Sequence, residues 1–364
     1  MKKKKIAVIG LKGLPAFGGA AIVGENIIEQ LKDKYDFTVY STASHTNLKT
    51  GVYNGYKQIV FKKIQIKKLN ILYYYLSSLF HILFNNEYDI IHLHHRTAAF
   101  TLLFFKKCFK TVTTLHSVVT IQKFKYFKYY FTLQDYILYK FSDIIINVSK
   151  YNTSLIEKKA KHKLFYIPNG ISIIQRNELV NINENNYILF SAARIINEKG
   201  CHIFLNALQA INYKGQIIVI GDLSQQKKYK KELLKLSKVL NVNYIGLIKD
   251  KILLFSYIKS AKYFVFPSLV EAMSMMLLEV VSLKIPVICS NIFANKAIFN
   301  ENEVLFFESN NYNDLKEKIL FANNNTLYMK MIAENAYKKV VKNYTWDKIA
   351  KKYEVIFNNL LNEK

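Results

Sequence analysis

The chain has 364 residues, 51% of them hydrophobic, with only 12 glycines and 4 prolines. Such a composition excludes a disordered or collagen-like chain, and the length exceeds one usual domain, so two cores are expected. A net charge of +26 implies an anionic partner, whether nucleic acid, anionic lipid or an anionic substrate, although a lysine-rich compositional bias explains part of it. The first 170 residues hold 26 basic and 9 acidic side chains, the larger part of that excess. Cys108, Cys201 and Cys289 are scattered with no CxxC pair and read as buried thiols in a reducing compartment.

The N-terminus resembles a signal peptide only superficially. Its apolar core, Ile6 to Ile9, is too short, and Lys12 interrupts the continuation. It reads as a first strand, Lys5 to Ile9, and a turn with Gly10, Gly13, Pro15, Gly18 and Gly19 before a helix from Ala20 to Lys32. The turn lacks the G-x-G-x-x-G spacing. Such glycines serve either a tight connection or close approach of backbone to a ligand. No apolar run reaches about 18 residues, so no membrane span is expected.

Strands and helices then alternate. Strands are expected at Phe37–Tyr40 and Ile59–Ile66, a helix at Leu69–Phe84, and a strand at Ile90–Leu93 ending in His94, His95 and Arg96. Alternation puts His92 and His94 on one face and His95 on the other. No cysteine or carboxylate cluster completes a metal site, so lining a cleft is preferred to binding zinc. Strand Thr111–Leu115 ends in His116, either a packed histidine or a ligand contact.

Residues 121–141, IQKFKYFKYYFTLQDYILYKF, read as a basic and aromatic helix. It suits a membrane interface, a packed helix with a solvated lysine face, or single-stranded nucleic acid, the last being the least favoured. Asp143–Ser149 closes this half as a strand. A helix follows, and Ser172–Asn186 reads as linker.

The second half restarts with strand Tyr187–Ala192 and the loop ARIINEKG. Its Arg194 and Lys199 are either surface decoration or a pair that neutralises a diphosphate. Strand Gln216–Ile220 leads to Gly221 and Asp222, and a further apolar stretch covers Tyr244–Leu247. Tyr263–Ser290 then reads as strand, turn, helix, strand, a βαβ unit with Glu271 in its turn and Glu279 in its helix. Ligands in such units sit beyond the strand ends, at the helix N-terminus. The helix is apolar on nearly every side, so Glu279 requires a buried partner. Thr345 is expected to cap a last helix that runs to about Leu361.

PSLVEAMSMMLLE resembles the E-x7-E signature of the GT4-type retaining glycosyltransferases, the glycosyl transferases group 1 family, which have the GT-B fold. GLKGLPAFGG is similar to their first-strand loop, RIINEKG to their basic pair, and YIPNGI to their crossing between domains. The resemblance covers nearly the whole chain. It implies an α/β fold of two Rossmann-like domains facing a cleft. Residues 1–170 would form the acceptor-side domain, 171–345 the nucleotide-sugar-binding domain, and 346–364 a helix crossing back to the first. By the same resemblance Glu271 and His116 meet the donor sugar, Glu279 meets the ribose hydroxyls, and Arg194 with Lys199 binds the diphosphate. Gly18, Gly19, Gly221 and the backbone of Ala272, Met273, Ser274 and Met275 would complete the donor site, and Tyr244–Leu247 would lie where the family contacts the base. Many members carry Gly where this chain has Ala272, and Gly or Pro where it has Ser274, so a donor preference of its own is expected there.

The implied reaction moves a sugar from a nucleotide-sugar, a UDP-sugar for preference, to a lipid-linked, polyprenol-linked or growing surface glycan. It needs no metal or other cofactor and no nucleic acid. The implied location is cytoplasmic, at the inner face of the membrane, through residues 121–141. Two other readings stand beside it. One is a non-catalytic basic protein that binds membrane or nucleic acid. The other is a GT-B-fold epimerase or phosphorylase.

Overall fold

The computed structural model describes residues 2–16, 18–116, 128–150, 160–182 and 186–362. The chain forms two compact units, Met1–Gly170 with Trp346–Lys364, and Ile171–Thr345.

The first unit is built on β1 (Lys4–Lys12), β2 (Tyr35–Thr42), β3 (Gly51–Tyr53), β4 (Tyr56–Phe61), β5 (Ile90–Leu93), β6 (Lys110–Leu115), β7 (Ile144–Asn147) and β8 (Leu164–Tyr166). The spatial order is β3-β4-β2-β1-β5-β6-β7-β8, parallel throughout except for the β3–β4 hairpin. Strands of a parallel sheet are covered on both faces, which is why runs such as Ile6–Ile9 are apolar at every position and fully buried. The hairpin turns on Asn54 (φ 47°) and Gly55 (φ 86°), an Asn-Gly pair suited to the two positive φ values of a tight turn.

The connecting helices are α1 (Gly19–Leu31), α2 (Lys67–Asn85), α3 (Leu102–Phe105) and α4 (Lys128–Phe141). Helices α2, α3 and α4 bury Tyr74, Tyr75, Leu79, Ile82, Leu102, Phe105 and Leu138 against Ala7, Ile9, Ile91 and Leu93. The final helix, Trp346–Asn362, packs on α1. Its Trp346 ring fills the space beside Gly170, where a Cβ would lie 2.5 Å from the ring. Asn358 Oδ1 accepts from the Tyr35 hydroxyl at 2.7 Å.

The second unit is a six-stranded parallel sheet in the order β11-β10-β9-β12-β13-β14. Its strands are β9 (Ile188–Arg194), β10 (Ile217–Asp222), β11 (Val242–Gly246), β12 (Tyr263–Phe266), β13 (Val287–Ser290) and β14 (Leu305–Phe307). Its helices are α5 (Cys201–Ala210), α6 (Lys227–Leu236), α7 (Lys251–Ser260), α8 (Met275–Ser282), α9 (Phe293–Lys296), α10 (Tyr312–Asn324) and α11 (Thr326–Asn343). Phe190, Phe204, Leu208, Val219, Val265 and Ile319 lie at its centre.

Several expectations need correction. Strand β1 runs through Gly10 to Lys12 rather than turning at Gly10, because glycine accepts the φ of +103° required there. Strand β4 stops at Phe61, where pairing with β2 ends, and Lys62 and Lys63 are exposed. Arg194 ends β9 and pairs in register with Asp222, so it lies on a strand rather than in a loop. Thr345 does not cap the final helix: its hydroxyl is buried and meets no hydrogen-bond partner among the described residues. Its backbone instead bridges to Ile171. Cys108 is exposed, whereas Cys201 and Cys289 are buried. Residues 121–127 of the basic and aromatic segment lie outside the described residues, as do residues 151–159, where a helix was expected.

Candidate active site

An open parallel sheet holds ligands beyond the carboxyl ends of its strands, where the strand order reverses. The first unit reverses between β1 and β5, the second between β9 and β12. Nearly every expected site residue sits at or beside one of these two places.

In the second unit, Lys199 ends a short turn, Asn197–Lys199, and Gly200 follows at φ +72° as the N-cap of α5. A Cβ on Gly200 would lie 2.0 Å from the Pro267 carbonyl oxygen. The loop after β9 therefore lies directly on the loop after β12, and the Leu269 amide donates to the Glu198 carbonyl at 2.9 Å. This seating brings Lys199 Nζ to 2.5 Å from Glu271 Oε1, with both side chains largely buried. Arg194 is exposed and forms no ion pair among the described residues.

Gly221, at φ +145°, holds the end of β10 against β9, since a Cβ would lie 1.9 Å from the Ala192 carbonyl oxygen. It lines a hollow of about 280 Å³ with Asp222, Ser224, Lys230, Tyr244 and Gly246. Tyr244, Gly246 and Leu247 belong to the stretch that the family resemblance places at the nucleotide base, and Gly246 ends its strand at φ +85° with open space beside it.

Ala272 and Met273 form the turn before α8, and Ser274 is its N-cap, with Oγ accepting from the Leu277 amide at 3.4 Å. Met275 is the first helical residue, so the free amides of the first turn open towards this loop. Glu279, about one turn into α8, is 6% exposed. Lys251 Nζ lies 2.7 Å from its Oε1. Burial pushes the Glu279 carboxyl up, and Lys251 pulls it back. The buried partner is thus Lys251, on the first turn of α7. No local spacing relates the two, so the sequence offered no signal for it.

In the first unit, the loop after β1 is pinned from below. The Leu14 amide donates to Gln58 Oε1 at 3.1 Å, and Thr46 Oγ1 donates to the Leu14 carbonyl at 2.6 Å. Gly18, at φ +139°, and Gly19 have nothing within 4 Å of where a Cβ would be, so both face open space. A hollow of about 430 Å³ beside the loop is lined by Gly13, Pro15, Ser44, His45, Thr46 and Asn47. At the same reversal, a Cβ on Gly10 would lie 2.9 Å from the His95 backbone nitrogen, so β1 and the end of β5 close up on a glycine.

His116 follows β6 and joins a buried chain. His116 Nε2 is 3.0 Å from His94 Nδ1, and His94 Nε2 is 3.3 Å from His92 Nδ1. His92 Nε2 is 2.8 Å from Thr114 Oγ1. Alternation placed His92 and His94 together, and the neighbouring strand β6 adds Thr114 and His116. The ring of His92 packs on Tyr353 and Phe357 of the final helix. Burial lowers His92 and His116 to about 3, and His94 well below its ordinary value, so all three imidazoles are neutral near pH 7. Because the nitrogens bond one another, they do not converge on a point where an ion could sit. Among the described residues no group of His, Cys, Asp or Glu is placed to hold a metal.

Residues 174–339 match the family model for glycosyl transferases group 1, and residues 17–174 match that for glycosyltransferase family 4. Together they span most of both units, and the chain belongs to the glycosyl transferases group 1 family, as a sugar-transferring enzyme of GT-B architecture. It is 27% identical over 361 residues to the glycosyltransferase MJ1178 of Methanocaldococcus jannaschii, covering 95% of this chain and 96% of that one. It is 27% identical to CapM, a capsular polysaccharide biosynthesis glycosyltransferase of Staphylococcus aureus, over 67% of this chain and 68% of that one. Anabaena HepE, solved with UDP and glucose, shares the fold at a TM-score of 0.80 and 16% identity, covering 98% of this chain and all of that one. This membership sets aside the non-catalytic reading.

Proposed function

We propose that the chain transfers a sugar, with retention, from a UDP-sugar to a lipid-linked or growing cell-surface glycan. The observation that carries this is the pairing of Lys199 with Glu271 at the N-terminus of α8, the helix that also holds Glu279. A cation, a carboxylate and a helix N-terminus at one strand end match what a sugar diphosphate requires. Lys199 and Arg194 offset the charge that develops on the departing diphosphate. Backbone amides of Ala272–Met275 hold oxygens of the sugar or phosphate, and Glu271 and His116 bind sugar hydroxyls. Glu279 accepts from the ribose hydroxyls, and Gly18, Gly19 and Gly221 let backbone come close to the donor. The bond from the anomeric carbon to the diphosphate breaks, the acceptor hydroxyl oxygen bonds that carbon on the same face, and its proton passes to the diphosphate. The chain supplies the positive charge from its own side chains, so a metal ion has no part in this reading.

The name of CapM supports a surface polysaccharide as acceptor, and the UDP bound in HepE supports a uridine donor. The test is a panel of nucleotide-sugars with mass detection of donor breakdown and of transfer to a lipid-linked glycan. The anomeric configuration of the product is read by NMR. Donor isomerised or phosphorolysed without acceptor would favour the epimerase or phosphorylase reading. A panel in which no donor is consumed would sink the proposal.

A membrane-facing location at the inner leaflet is part of the same reading. It is supported by apolar side chains exposed on the helices of the first unit: Leu72, Phe80 and Phe84 on α2, Phe104 on α3, and Leu133 and Tyr136 on α4. Lys140 lies over the Tyr136 ring, a cation among aromatics that fits a headgroup layer. No described helix is long and apolar enough to cross a membrane.

A further inference from the structure

The histidine chain constrains itself. A neutral imidazole carries one N–H, on Nδ1 or on Nε2. A nitrogen–nitrogen contact within hydrogen-bond distance needs one proton between the two atoms: none sets lone pair against lone pair, and two set N–H against N–H. The contacts His116 Nε2–His94 Nδ1 (3.0 Å) and His94 Nε2–His92 Nδ1 (3.3 Å) therefore admit only two consistent states. In one, all three rings carry the proton on Nε2: His116 donates to His94, His94 to His92, and His92 to Thr114 Oγ1 at 2.8 Å. In the other, all three carry it on Nδ1, and the order of donation reverses from the Thr114 hydroxyl outwards. The chain ends at His116 Nδ1, which is buried and meets no partner among the described residues.

We propose that Thr114, His92 and His94 form a positioning chain that locks His116 into one tautomer, so that its Nδ1 meets the donor sugar always as a donor or always as an acceptor. This rests on the reading above, in which His116 contacts the sugar. His94 and His92 touch no substrate. Their work is to remove the ambiguity of a neutral imidazole at the one nitrogen of the chain that meets no partner among the described residues. A free histidine beside a sugar would present a mixture, and the wrong tautomer would set lone pair against lone pair or N–H against N–H. Burial, which lowers all three imidazoles, keeps a second proton from entering the chain and breaking its order.

The test is long-range nitrogen–proton NMR of the whole chain, labelled at its eight histidines. His92, His94 and His116 should show the same tautomer. Thr114→Val, which keeps the shape and removes the hydroxyl, should change the tautomer populations of His116 from two rings away. His94→Leu should leave His116 a mixture and lower kcat by roughly tenfold with little change in donor KM, the scale typical of partners that orient a ligand-contacting histidine. His94→Gln, which can bond on both sides, should restore part of that. Different tautomers among the three in the parent protein, or His116 populations unmoved by both Thr114→Val and His94→Leu, would overturn the chain. If His94→Leu does not fold, the parent spectrum and Thr114→Val decide. Matching tautomers in the parent, a His116 mixture in a folded His94→Leu and a kcat that does not change there keep the chain and instead remove His116 from the sugar contact, so the two readings fail separately.

Discussion

Lys199 Nζ meets Glu271 Oε1 at 2.5 Å although 72 residues separate them, because Gly200 lets one strand-end loop lie on the other. A donor diphosphate would draw Lys199 off Glu271 and leave the carboxylate for a sugar hydroxyl. Lys199→Ala should therefore lower kcat/KM by about 10²- to 10³-fold, as loss of one transition-state donor does. Because Glu271 is only 10% exposed, leaving its carboxylate without Lys199 should also lower the melting temperature. Wild-type turnover in the folded variant would take Lys199 out of the mechanism.

Glu279 is a site where binding and stability oppose each other. Burial raises its folded pKa above the value of 4.5 it has when exposed. The native state therefore binds this proton more readily than the unfolded chain, and stability falls as pH rises from 4.5 through the folded value. In the fold the ionised carboxylate is a net cost, reduced by Lys251. Glu279→Gln should leave the melting temperature at pH 7 unchanged or higher. UDP affinity should drop roughly 10- to 100-fold, the worth of hydrogen bonds to a charged group. A lower melting temperature with unchanged affinity by calorimetry would make Glu279 a structural residue only.

Two glycines should respond in opposite ways. Gly200→Ala puts a Cβ 2.0 Å from the Pro267 oxygen at φ +72°. The left-handed backbone alone costs about 1–2 kcal/mol, and the clash adds to it, so the second unit should melt well below the parent. Gly19→Ala meets nothing within 4 Å and starts α1, so stability should stay within about 0.5 kcal/mol. Its transfer rate should fall. Full activity would show that no ligand approaches that backbone.

The buried histidines make the first unit acid-sensitive. His92 and His116 titrate at about 3 in the fold and at 6.5 when exposed. The unfolded chain binds more protons in that window, so their contribution is complete above pH 6.5 and is lost as pH falls towards 3. Each buried histidine sets a slope of about 1.4 kcal/mol per pH unit there. Urea midpoints measured from pH 7 down to 4.5 should decline, and His92→Gln should flatten the decline. Parallel curves for the two proteins would contradict it.

Membrane attachment through α2 predicts binding to vesicles with anionic lipid, weakened by salt. Phe80 and Phe84 are exposed and stack at 6.4 Å. Phe84→Ser should cost about 1.5–3 kcal/mol of binding, the worth of burying one such ring. Sedimentation with vesicles should then show a loss of roughly tenfold or more in affinity. Equal binding of parent and variant would place any membrane contact elsewhere.

The long parallel strands were legible because burial on both faces makes them continuously apolar. Ile90–Leu93 has the expected boundaries, and Tyr263 opens the βαβ unit as expected. The β3–β4 hairpin was not foreseen. Three residues are too few to show a period, although the Asn54-Gly55 pair was a usable turn signal. Glu271 and Lys199 were visible as loop residues, but their contact depends on the β9–β12 neighbourhood, which the sequence order hides. His92 and His94 shared a face by alternation alone. Their link to His116 needed β6 beside β5, a fact of sheet order and not of spacing.

Residues 171–345 begin and end at one place. The Ile171 amide donates to the Tyr344 carbonyl at 2.7 Å, and Ile171 bridges to Thr345. The second unit is in this sense an insertion in the first, entered and left through a single doorway. A gene fragment for 171–345 would carry Lys199, Glu271, Lys251 and Glu279 together and should fold with its ends side by side. The complementary fragment would need a short loop from Gly170 to Trp346, because the first unit includes the final helix that packs on α1. Such a fragment would isolate the contacts expected for the nucleotide and diphosphate from those of His116, Gly18 and Gly19, which lie in the first unit.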